Sequence, residues 1–436
     1  MKAGTQISSG EPFDMLKWST LIALTMLSSV PALAIDPGDF ELLDGDRVVF
    51  VGNTFMERDQ VYGFLETSLT AQWPDRNVTF RNLGWSGDTV WGEARARFGT
   101  PADGFQHLKD HVDAIKPSVI FVSYGLNESF DGSSGLPRFR EGLEKLLNML
   151  TVHTRRVVLL SPIPLEAVKS ELVAQHNQML AAYSNVIAEF ARDRGFHFVD
   201  LMRDWNERSR GWPEPGMFWT DNGMHLSALG YWHSAEQIMD ELGLRRGNSP
   251  VVISVDGQVA NDGAGIFELR RAEAGYRFGL RMPLLPVASL PTPTVGESAR
   301  LRELGYPVTA PRTCLVRIAG LPPGERVELR IDGKKVVTES SLTWAEGCRL
   351  PVLDLEQVEQ LRRAIVAKNQ LYFHRWRPQN ETYLFGFRKH EQGQNAAEVP
   401  KFDPLVAEQE AVIAQLRVPA RHYGELIQQR TRGEGK

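Results

Sequence analysis

The chain has 436 residues, of which 42% are hydrophobic, so it is long enough for two or three domains with ordinary apolar cores. Acidic and basic residues are interspersed. The formal charge of -5 at pH 7 and the pI near 6.1 give no basic field of the kind that nucleic-acid binding needs. We therefore expect a globular protein with no nucleic-acid partner.

Residues 1–34 have the pattern of a signal peptide. Lys17 precedes an apolar run from Leu21 to Leu27, and Ala32-Leu33-Ala34 supplies a small-x-small cleavage pattern. A membrane anchor is the less favoured interpretation, because the apolar run is well short of the roughly 20 residues that a spanning helix needs. We expect export to the periplasm or the extracellular space, with no membrane span in the mature chain.

Residues 36–247 alternate short apolar runs with amphipathic stretches, which predicts βαβ units around a parallel sheet. The strands are predicted at 48–51, 78–80, 119–122, 157–160 and 196–199, and the helices near 57–73, 104–116, 137–152, 166–193 and 227–243. These strands are continuously apolar rather than alternating, as expected of a sheet that helices bury on both faces. The predicted fold class is α/β.

The composition changes to that of a linker near residues 246–250. After it, residues 248–345 contain strand-like runs with Pro- and Gly-rich joins, which predicts a small β-rich module. Its predicted strands are 251–255, 275–281, 314–319 and 326–332. Residues 346–436 are predicted to form a helical C-terminal segment, with helices near 354–369 and 405–416.

Cysteine occurs only twice, at Cys314 and Cys348. In an exported chain the two could form a disulfide, but two buried free thiols are equally consistent with the sequence, which does not give their separation. No spacing of histidine, cysteine and acidic residues indicates a metal site, so we expect neither a metal nor another cofactor.

Three polar loops follow predicted strands or lie near the end of the α/β region. They are Arg81 to Thr89 (RNLGWSGDT), Tyr124 to Glu128 (YGLNE) and Thr220 to Tyr231 (TDNGMHLSALGY), and of the three only the last carries a histidine, His225. Open α/β sheets bind ligands at the carboxyl ends of their strands. We expect the three loops to meet at that edge and to form a hydrolytic site.

These loops make residues 47–244 similar to the SGNH hydrolase (GDSL esterase/lipase) family. The resemblance implies a flavodoxin-like three-layer α/β/α domain and a site built from four sequence blocks. In that family block one supplies a serine nucleophile in Gly-Asp-Ser, and blocks two and three supply a glycine amide and an asparagine amide to an oxyanion. Block five supplies an Asp-x-x-His pair.

Blocks two and three supply the predicted oxyanion donors. The run from Asn82 to Thr89 reproduces the family's Asn-x-Gly-x-Ser-Gly-x-Thr pattern, so the resemblance makes Gly84 one donor, although a tight turn without a ligand is the alternative. Asn127 would direct its side-chain amide to the same oxyanion. Asn127-Glu128-Ser129 also has the form of a glycosylation sequon, which is the less favoured interpretation.

Blocks five and one depart from the family pattern. His225 is the predicted general base, and Asp221, four positions before it, is the predicted orienting carboxylate; the alternative is Asn222, three positions before it. The expected Gly-Asp-Ser is Gly52-Asn53-Thr54 here, which makes Thr54 the predicted nucleophile. Ser86 and Ser123 are the alternative hydroxyls.

The stretch from Lys368 to Tyr383 is dense in aromatic rings, guanidinium groups and amides, which suit sugars or carboxylates. We predict that it folds back over the sheet edge and that Arg375, Arg377 or Asn380 contacts the substrate. The alternative is an interdomain seam in which an arginine stacks on Trp376 and pairs with Glu381.

These observations favour an exported ester hydrolase that acts on a small acylated substrate, plausibly an O-acylated carbohydrate. The substrate class is what the family resemblance and the predicted export imply. The alternative is a catalytically inactive carbohydrate-binding or scaffold protein with the same fold. Absence of the block-one serine favours that alternative, whereas the retained histidine, asparagine and glycine favour the enzyme.

Overall fold

The computed structural model describes residues 37–166, 170–203, 219–244, 251–256, 265–291, 313–391, 393 and 395–429. The predicted signal peptide at 1–34 and the predicted linker at 246–250 lie outside the described residues. Ile35–Lys436 form one compact unit. Among the helices of the described part of the chain, none is long and apolar enough to cross a membrane.

A parallel sheet lies at the centre of the first part of the chain. Its strands are β1 (Arg47–Gly52), β2 (Thr79–Asn82), β3 (Val119–Ser123), β4 (Val157–Leu160) and β5 (His197–Val199), in the order β2-β1-β3-β4-β5. This is the strand order of flavodoxin-like folds. The predicted α/β class and the five predicted strands are confirmed, with small shifts at the strand ends.

Helices cover both faces of this sheet. They are α1 (Thr54–Tyr62), α2 (Phe64–Gln72), α3 (Pro101–Ile115), α4 (Leu136–Leu150), α5 (Glu171–Arg194) and α6 (Ala228–Glu241). Successive residues of a strand point to opposite faces. On β1, Val48 and Phe50 therefore pack in a core with α2 and α6, whereas Val49 and Val51 pack in a second core with α3, α4 and α5.

The single helix predicted at 57–73 is wrong, since two helices, α1 and α2, occupy this stretch. They are separated by Gly63, whose φ of +66° is left-handed and whose backbone N–H donates to Asp59 O. A glycine in this conformation ends a helix at little steric cost. At the other end of α1, the Asn53 side chain accepts a hydrogen bond from Phe55 N and so fixes where the helix begins.

The β-rich module contains two sheets. Its strands are β6 (Val251–Ser254), β7 (Gly265–Ala272), β8 (Gly275–Arg281), β9 (Thr313–Ala319), β10 (Arg326–Ile331), β11 (Lys334–Ser340), β12 (Cys348–Pro351) and β13 (Arg421–Gln429). The strand orders are β11-β10-β13-β8-β7 and β12-β9-β6. The C-terminal segment is thus not purely helical as predicted, because β13 pairs between β10 and β8.

Both cysteines are free thiols, which agrees with the second of the two predicted alternatives. They lie on neighbouring antiparallel strands, where Cys348 is opposite Val316 and Cys314 is opposite Leu350. Burial raises the pKa of both thiols above the usual value.

The C-terminal helices pack against the α/β domain. They are α8 (Leu355–Trp376), α9 (Glu381–Leu384) and α10 (Phe402–Leu416), whereas α7 (Ser341–Glu346) packs within the β-rich module through Trp344. On α8, the Lys368 ammonium donates to both carboxylate oxygens of Glu66 on α2, at 2.7 and 2.9 Å, and to Phe80 O. Lys368 and Glu66 are almost fully buried. This ion pair therefore fixes α8 on the surface formed by α2 and β2.

We expect Lys368→Met to lower the free energy of unfolding by about 3–5 kcal/mol, because it leaves the Glu66 carboxyl buried without its partner. The matched control is Lys109→Met, which removes an exposed pair with Asp113 on α3 and is expected to cost no more than about 1 kcal/mol. Urea unfolding of both variants measures the difference. Equal losses would contradict the structural role of Lys368.

Candidate active site

The turn after β1 places a hydroxyl at the carboxyl edge of the sheet. Asn53 caps α1, and Thr54 is the first residue of that helix. The Thr54 Oγ1 atom accepts a hydrogen bond from Gly87 N at 3.3 Å. The structure thus brings the predicted nucleophile of block one against the block-two turn.

Gly84, the predicted oxyanion donor, does not present a free amide. Its N–H donates to Asn82 Oδ1 at 2.8 Å, and a Cβ at this position would lie 2.2 Å from Glu57 N. The glycine is needed because the turn packs directly on the backbone of α1. Gly84 therefore packs the turn on α1, and its role as an oxyanion donor stays a prediction.

Gly87 is the glycine whose amide faces the hydroxyl. Its φ is +78°, and a Cβ built there would meet nothing within 4 Å, so the backbone beside Thr54 is open. Gly87 was not predicted, because the family pattern assigns the donor role to the first of the two glycines of block two, Gly84. The signal that could have found it is the Gly87-Asp88 pair, a typical turn sequence that favours a positive φ.

Block three joins the same turn. Asn127 Nδ2 donates to Asp88 O at 2.6 Å, which places the predicted amide donor one residue beyond Gly87. Ser129, the third residue of the sequon, is buried, and its Oγ donates to Leu126 O. These contacts favour the oxyanion interpretation of Asn127 over glycosylation, which needs an exposed acceptor loop.

Block five orients its histidine through Asn222. Asn222 Oδ1 accepts from Met224 N at 3.2 Å and from His225 N at 2.9 Å, so Nδ2 faces the ring, 3.1 Å from His225 Nδ1. An amide N–H donates, and Nδ1 must therefore be the unprotonated nitrogen. The neutral ring of His225 then carries its proton on Nε2.

Among the described residues, the His225 ring is hydrogen bonded to Asn222 and not to Asp221, so the orienting role of Asp221 stays a prediction without a direct contact. Its carboxylate instead pairs with Arg58 on α1 at 2.9 Å and is 51% exposed. The backbone gives the reason. Asp221 N donates to His225 O, and this turn directs the side chain of Asp221 toward α1 and that of Asn222 toward the ring. Arg58, one helical turn after Thr54, is a site residue that the sequence analysis missed.

The surroundings of His225 disfavour its charged form. Burial lowers the pKa of His225 below the usual value, the Arg58 cation lowers it further, and Asp221 only partly opposes them. Within the described ranges, no hydrogen bond joins His225 to the hydroxyl of Thr54, Ser86 or Ser123. The structure therefore does not nominate any of the three hydroxyls by a direct contact with the base.

A buried polar network holds these turns in place. Arg95 Nε donates to Asp88 Oδ2 at 2.5 Å, the Tyr124 hydroxyl donates to the same oxygen at 2.9 Å, and both members of the ion pair are fully buried. The Glu128 carboxylate accepts from Val90 N and Gly125 N. Burial raises the pKa of Glu128 to about 7.

One of the three predicted substrate-binding residues lies against the site. Arg377 donates to Glu57 Oε2 at 2.5 Å, its guanidinium carbon lies 3.6 Å from the centre of the Trp85 ring, and the same Glu57 oxygen accepts from Ser86 N. The C-terminal segment thus supports the turn that carries Gly87.

The other two predicted residues lie elsewhere. Arg375 pairs with Asp403 on α10, and Asn380 is exposed and makes no capping bond with its side chain. The alternative prediction was an interdomain seam in which one arginine stacks on Trp376 and pairs with Glu381. Glu381 does pair with an arginine, Arg97, but the Trp376 ring makes an edge-type contact with His111.

We expect Arg377→Ala to loosen the block-two turn, because a charge-assisted hydrogen bond to Glu57 is worth about 1.5–3 kcal/mol. Amide hydrogen exchange in a peptide that contains Ser86 and Gly87 should accelerate by about tenfold or more. Arg375→Ala, which removes an exposed pair, is the matched control and should leave this exchange unchanged. The same exchange rate in both variants would show that Arg377 does not support the turn.

The first half of the chain matches a known family model. Residues 50–233 match the model of the GDSL-like Lipase/Acylhydrolase family. A gut microbial diltiazem-metabolizing enzyme has a similar structure, with a TM-score of 0.64 and 15% identity over 91% of this chain and 99% of that chain. At this identity the likeness shows the fold alone, and its coverage includes the β-rich module and the C-terminal helices.

Two further solved structures match about half of this chain. One is an acetylxylan esterase from Geobacillus stearothermophilus, with a TM-score of 0.39, 18% identity and coverage of 47% of this chain and 98% of that chain. The other is an α/β hydrolase enzyme from the metagenome of Lake Arreo, Spain, with a TM-score of 0.38, 19% identity and coverage of 47% and 99%. No curated protein sequence matches. From residue 50 to residue 233, the chain carries a domain of the GDSL-like lipase/acylhydrolase family.

Proposed function

We propose that the protein is an ester hydrolase and that Thr54 is its nucleophile. The observation that carries this proposal is the position of Gly87 N, 3.3 Å from Thr54 Oγ1, because a backbone donor already lies beside the hydroxyl that would attack. Asn127, which is hydrogen bonded to the next residue of that turn, supplies a second donor. The family of the domain supports the same reaction class.

The reaction would proceed through an acyl-enzyme. Thr54 Oγ1 attacks the acyl carbonyl and its proton passes to His225 Nε2, while Gly87 N–H and Asn127 Nδ2 donate to the developing oxyanion. His225 then protonates the leaving alcohol. In the second half, water attacks the acyl group and gives a proton to His225 Nε2, and His225 then passes that proton to Thr54 Oγ1 as the carboxylic acid leaves.

Two features of the site would make this hydrolase slow. Asn222 holds His225 with the proton on Nε2, so the form that can accept the Thr54 proton is the minor tautomer. Threonine adds a methyl group beside the attacking oxygen and restricts its rotamers. In serine proteases, an asparagine in place of the orienting aspartate lowers kcat by about 10⁴ through the wrong tautomer.

The substrate we propose is a small acyl ester of a carbohydrate, met outside the cytoplasm. The signal-peptide pattern of residues 1–34 supports this location. We propose no metal or other cofactor, since the reaction is complete with the residues above.

Hydrolysis of an activated acetate ester by the purified mature chain tests the proposal. Thr54→Ala and His225→Ala, each checked for folding, are expected to abolish turnover above the uncatalysed rate. Ser86→Ala and Ser123→Ala remove hydroxyls from the same sheet edge and should retain it. Activity that survives Thr54→Ala but not Ser86→Ala or Ser123→Ala would contradict Thr54 as nucleophile.

Asn222→Asp should raise kcat by about tenfold or more, because a carboxylate would accept a hydrogen bond from Nδ1–H and leave Nε2 free to act as a base. Asp221→Asn is the control, since it neutralises the carboxylate that faces Arg58 rather than the ring. Steady-state kinetics on the acetate ester measure both. A fall in activity with Asp221→Asn and no change with Asn222→Asp would reverse the roles assigned here.

The pH dependence of kcat/KM follows from the charge around His225. Its pKa is lowered, so the ring is unprotonated at neutral pH, and activity should fall only on the acidic side of the ordinary histidine value, about 6.5. Asn222→Asp adds a negative charge that favours the protonated ring, which should shift this limb to higher pH. A limb that moves to lower pH in the variant would be inconsistent with the contact between residue 222 and the ring.

A second candidate function is carbohydrate binding without catalysis. The contact between Asn222 and His225 favours it, because it leaves the ring as a hydrogen-bond donor rather than a base. In that case the wild-type chain would hydrolyse the acetate ester no faster than the Thr54→Ala and His225→Ala variants. The same absence of enzymatic hydrolysis must be found with acylated sugars before the hydrolase proposal is rejected in favour of carbohydrate binding.

A further inference from the structure

A groove on the β-rich module lies apart from the catalytic edge. It has a volume of about 460 Å³ and runs over one face of the five-stranded sheet, and its lining includes Arg277, Gly279, Asp332, Tyr423 and Glu425. Neither the family domain at residues 50–233 nor the proposed hydrolysis accounts for it. What it could bind follows from its aromatic and polar lining.

Tyr423 is the exposed aromatic residue of the groove lining, and it lies in a row that crosses three strands. In the strand register, Phe267 of β7 lies opposite Gly279 of β8, which lies opposite Tyr423 of β13, so the three positions share a face. A Cβ on Gly279 would lie 2.1 Å from the Phe267 ring, so the glycine makes room for that ring. Tyr423 is 60% exposed. An uncovered ring thus stands in the groove beside a glycine.

The polar part lies two residues along the same strands. Arg277 and Glu425 are opposite in the register and pair at 2.8 Å, with Arg277 61% and Glu425 31% exposed. At the other side of Tyr423, Asp332 Oδ1 accepts from Tyr423 N, and its other oxygen contacts His422. The exposed Tyr423 ring therefore has the guanidinium of Arg277 and the carboxylate of Glu425 on one side and the carboxylate of Asp332 on the other.

The rim of the groove is formed by a β-bulge. The register between β7 and β8 shifts between Phe267 and Arg270, and Glu268 in this bulge has a φ of +53°. A non-glycine residue in the left-handed region is strained, and such bulges re-aim side chains, often at binding sites. Here the bulge places Glu268 and Arg270 among the residues that line the groove.

We infer that this groove binds a neutral oligosaccharide. Its charged lining residues are two arginines and three acids (Arg270, Arg277, Glu268, Asp332 and Glu425), which nearly balance, so it has no strong field for an anionic or cationic ligand. An exposed tyrosine packs against the apolar C–H face of a sugar ring, while guanidinium and carboxylate groups bond to its hydroxyls. A hydroxyl-rich, uncharged ligand fits these features better than a charged one.

This inference does not rest on the proposed hydrolysis. The groove uses β7, β8, β10 and β13, whereas the catalytic edge uses β1, β2 and β3 with α1. Binding would therefore persist in a protein whose catalytic residues had been removed. It would tether the chain to a polysaccharide, whatever reaction the α/β domain performs.

Titration calorimetry of the mature chain with neutral hexasaccharides of xylose, glucose and mannose tests the inference. At least one should bind, and Tyr423→Ala should raise the Kd by about tenfold, since it removes the exposed ring on which a sugar would pack. Tyr423→Phe should retain binding. Phe387→Ala is the matched control, because Phe387 is 76% exposed and lies in the C-terminal segment.

Several outcomes would overturn the inference. They are no binding of any neutral hexasaccharide, equal binding by Tyr423→Ala and the wild type, and binding of an anionic hexagalacturonate alone. Loss of binding in His225→Ala, with Tyr423→Ala unaffected, would place the ligand at the catalytic edge and would also overturn it. Intact binding in a His225→Ala variant that lacks ester hydrolysis would support the groove independently of the proposed function.

Discussion

The buried ion pair between Asp88 and Arg95 is the contact on which the rest of the site depends. Both side chains are fully buried, and an unpaired charge at such a depth costs several kcal/mol, so the pair must stay together for the domain to fold. Arg95 also donates to Leu83 O, and Tyr124 donates to Asp88. The ends of β2 and β3 are thereby tied to the turn that carries Gly87.

The same edge shows how neighbouring charges limit the chemistry. The carboxylate of Asp221 is neutralised by Arg58, and the residue that contacts His225 is an uncharged asparagine. When the His225 imidazole accepts a proton, its positive charge lies near the Arg58 cation. Its Nδ1 atom contacts a neutral amide rather than a carboxylate. The proposed oxyanion donors lie at one turn, whereas the His225 ring contacts an asparagine, and this contrast is why we propose a slow hydrolase, with carbohydrate binding as the second candidate.

The sequence predicted those strands and helices that depend on a local pattern of residues. Continuous apolar runs predicted the central strands, because parallel strands are buried on both faces. The end of a helix at Gly63 was not predicted, because a single glycine is compatible with a helical pattern. Only the backbone shows that Gly63 is left-handed. Strand β13 was missed because its partners β8 and β10 lie far away in the chain, and neither spacing nor composition reveals such a pairing.

Within the site, the blocks predicted the loops but not the individual side chains. Thr54 and Asn127 both contact the block-two turn, at Gly87 and at Asp88, because β1, β2 and β3 end at one edge, and the motif pattern predicted this meeting of the loops. The choice of Asn222 over Asp221 depends on the path of one tight turn. Contacts such as that between Arg377 and Glu57 join distant segments, and only the tertiary fold shows them.

In the proposed site, Asn222 holds His225 in the tautomer with its proton on Nε2. Nitrogen-15 NMR of the histidine-labelled mature chain at neutral pH tests it directly, with the His225 signals assigned by their loss in His225→Gln. The account predicts the shifts of an unprotonated Nδ1 and a protonated Nε2, with the pattern reversed in Asn222→Asp. A protonated Nδ1 in the wild-type chain would contradict the account and would restore His225 as a ready base.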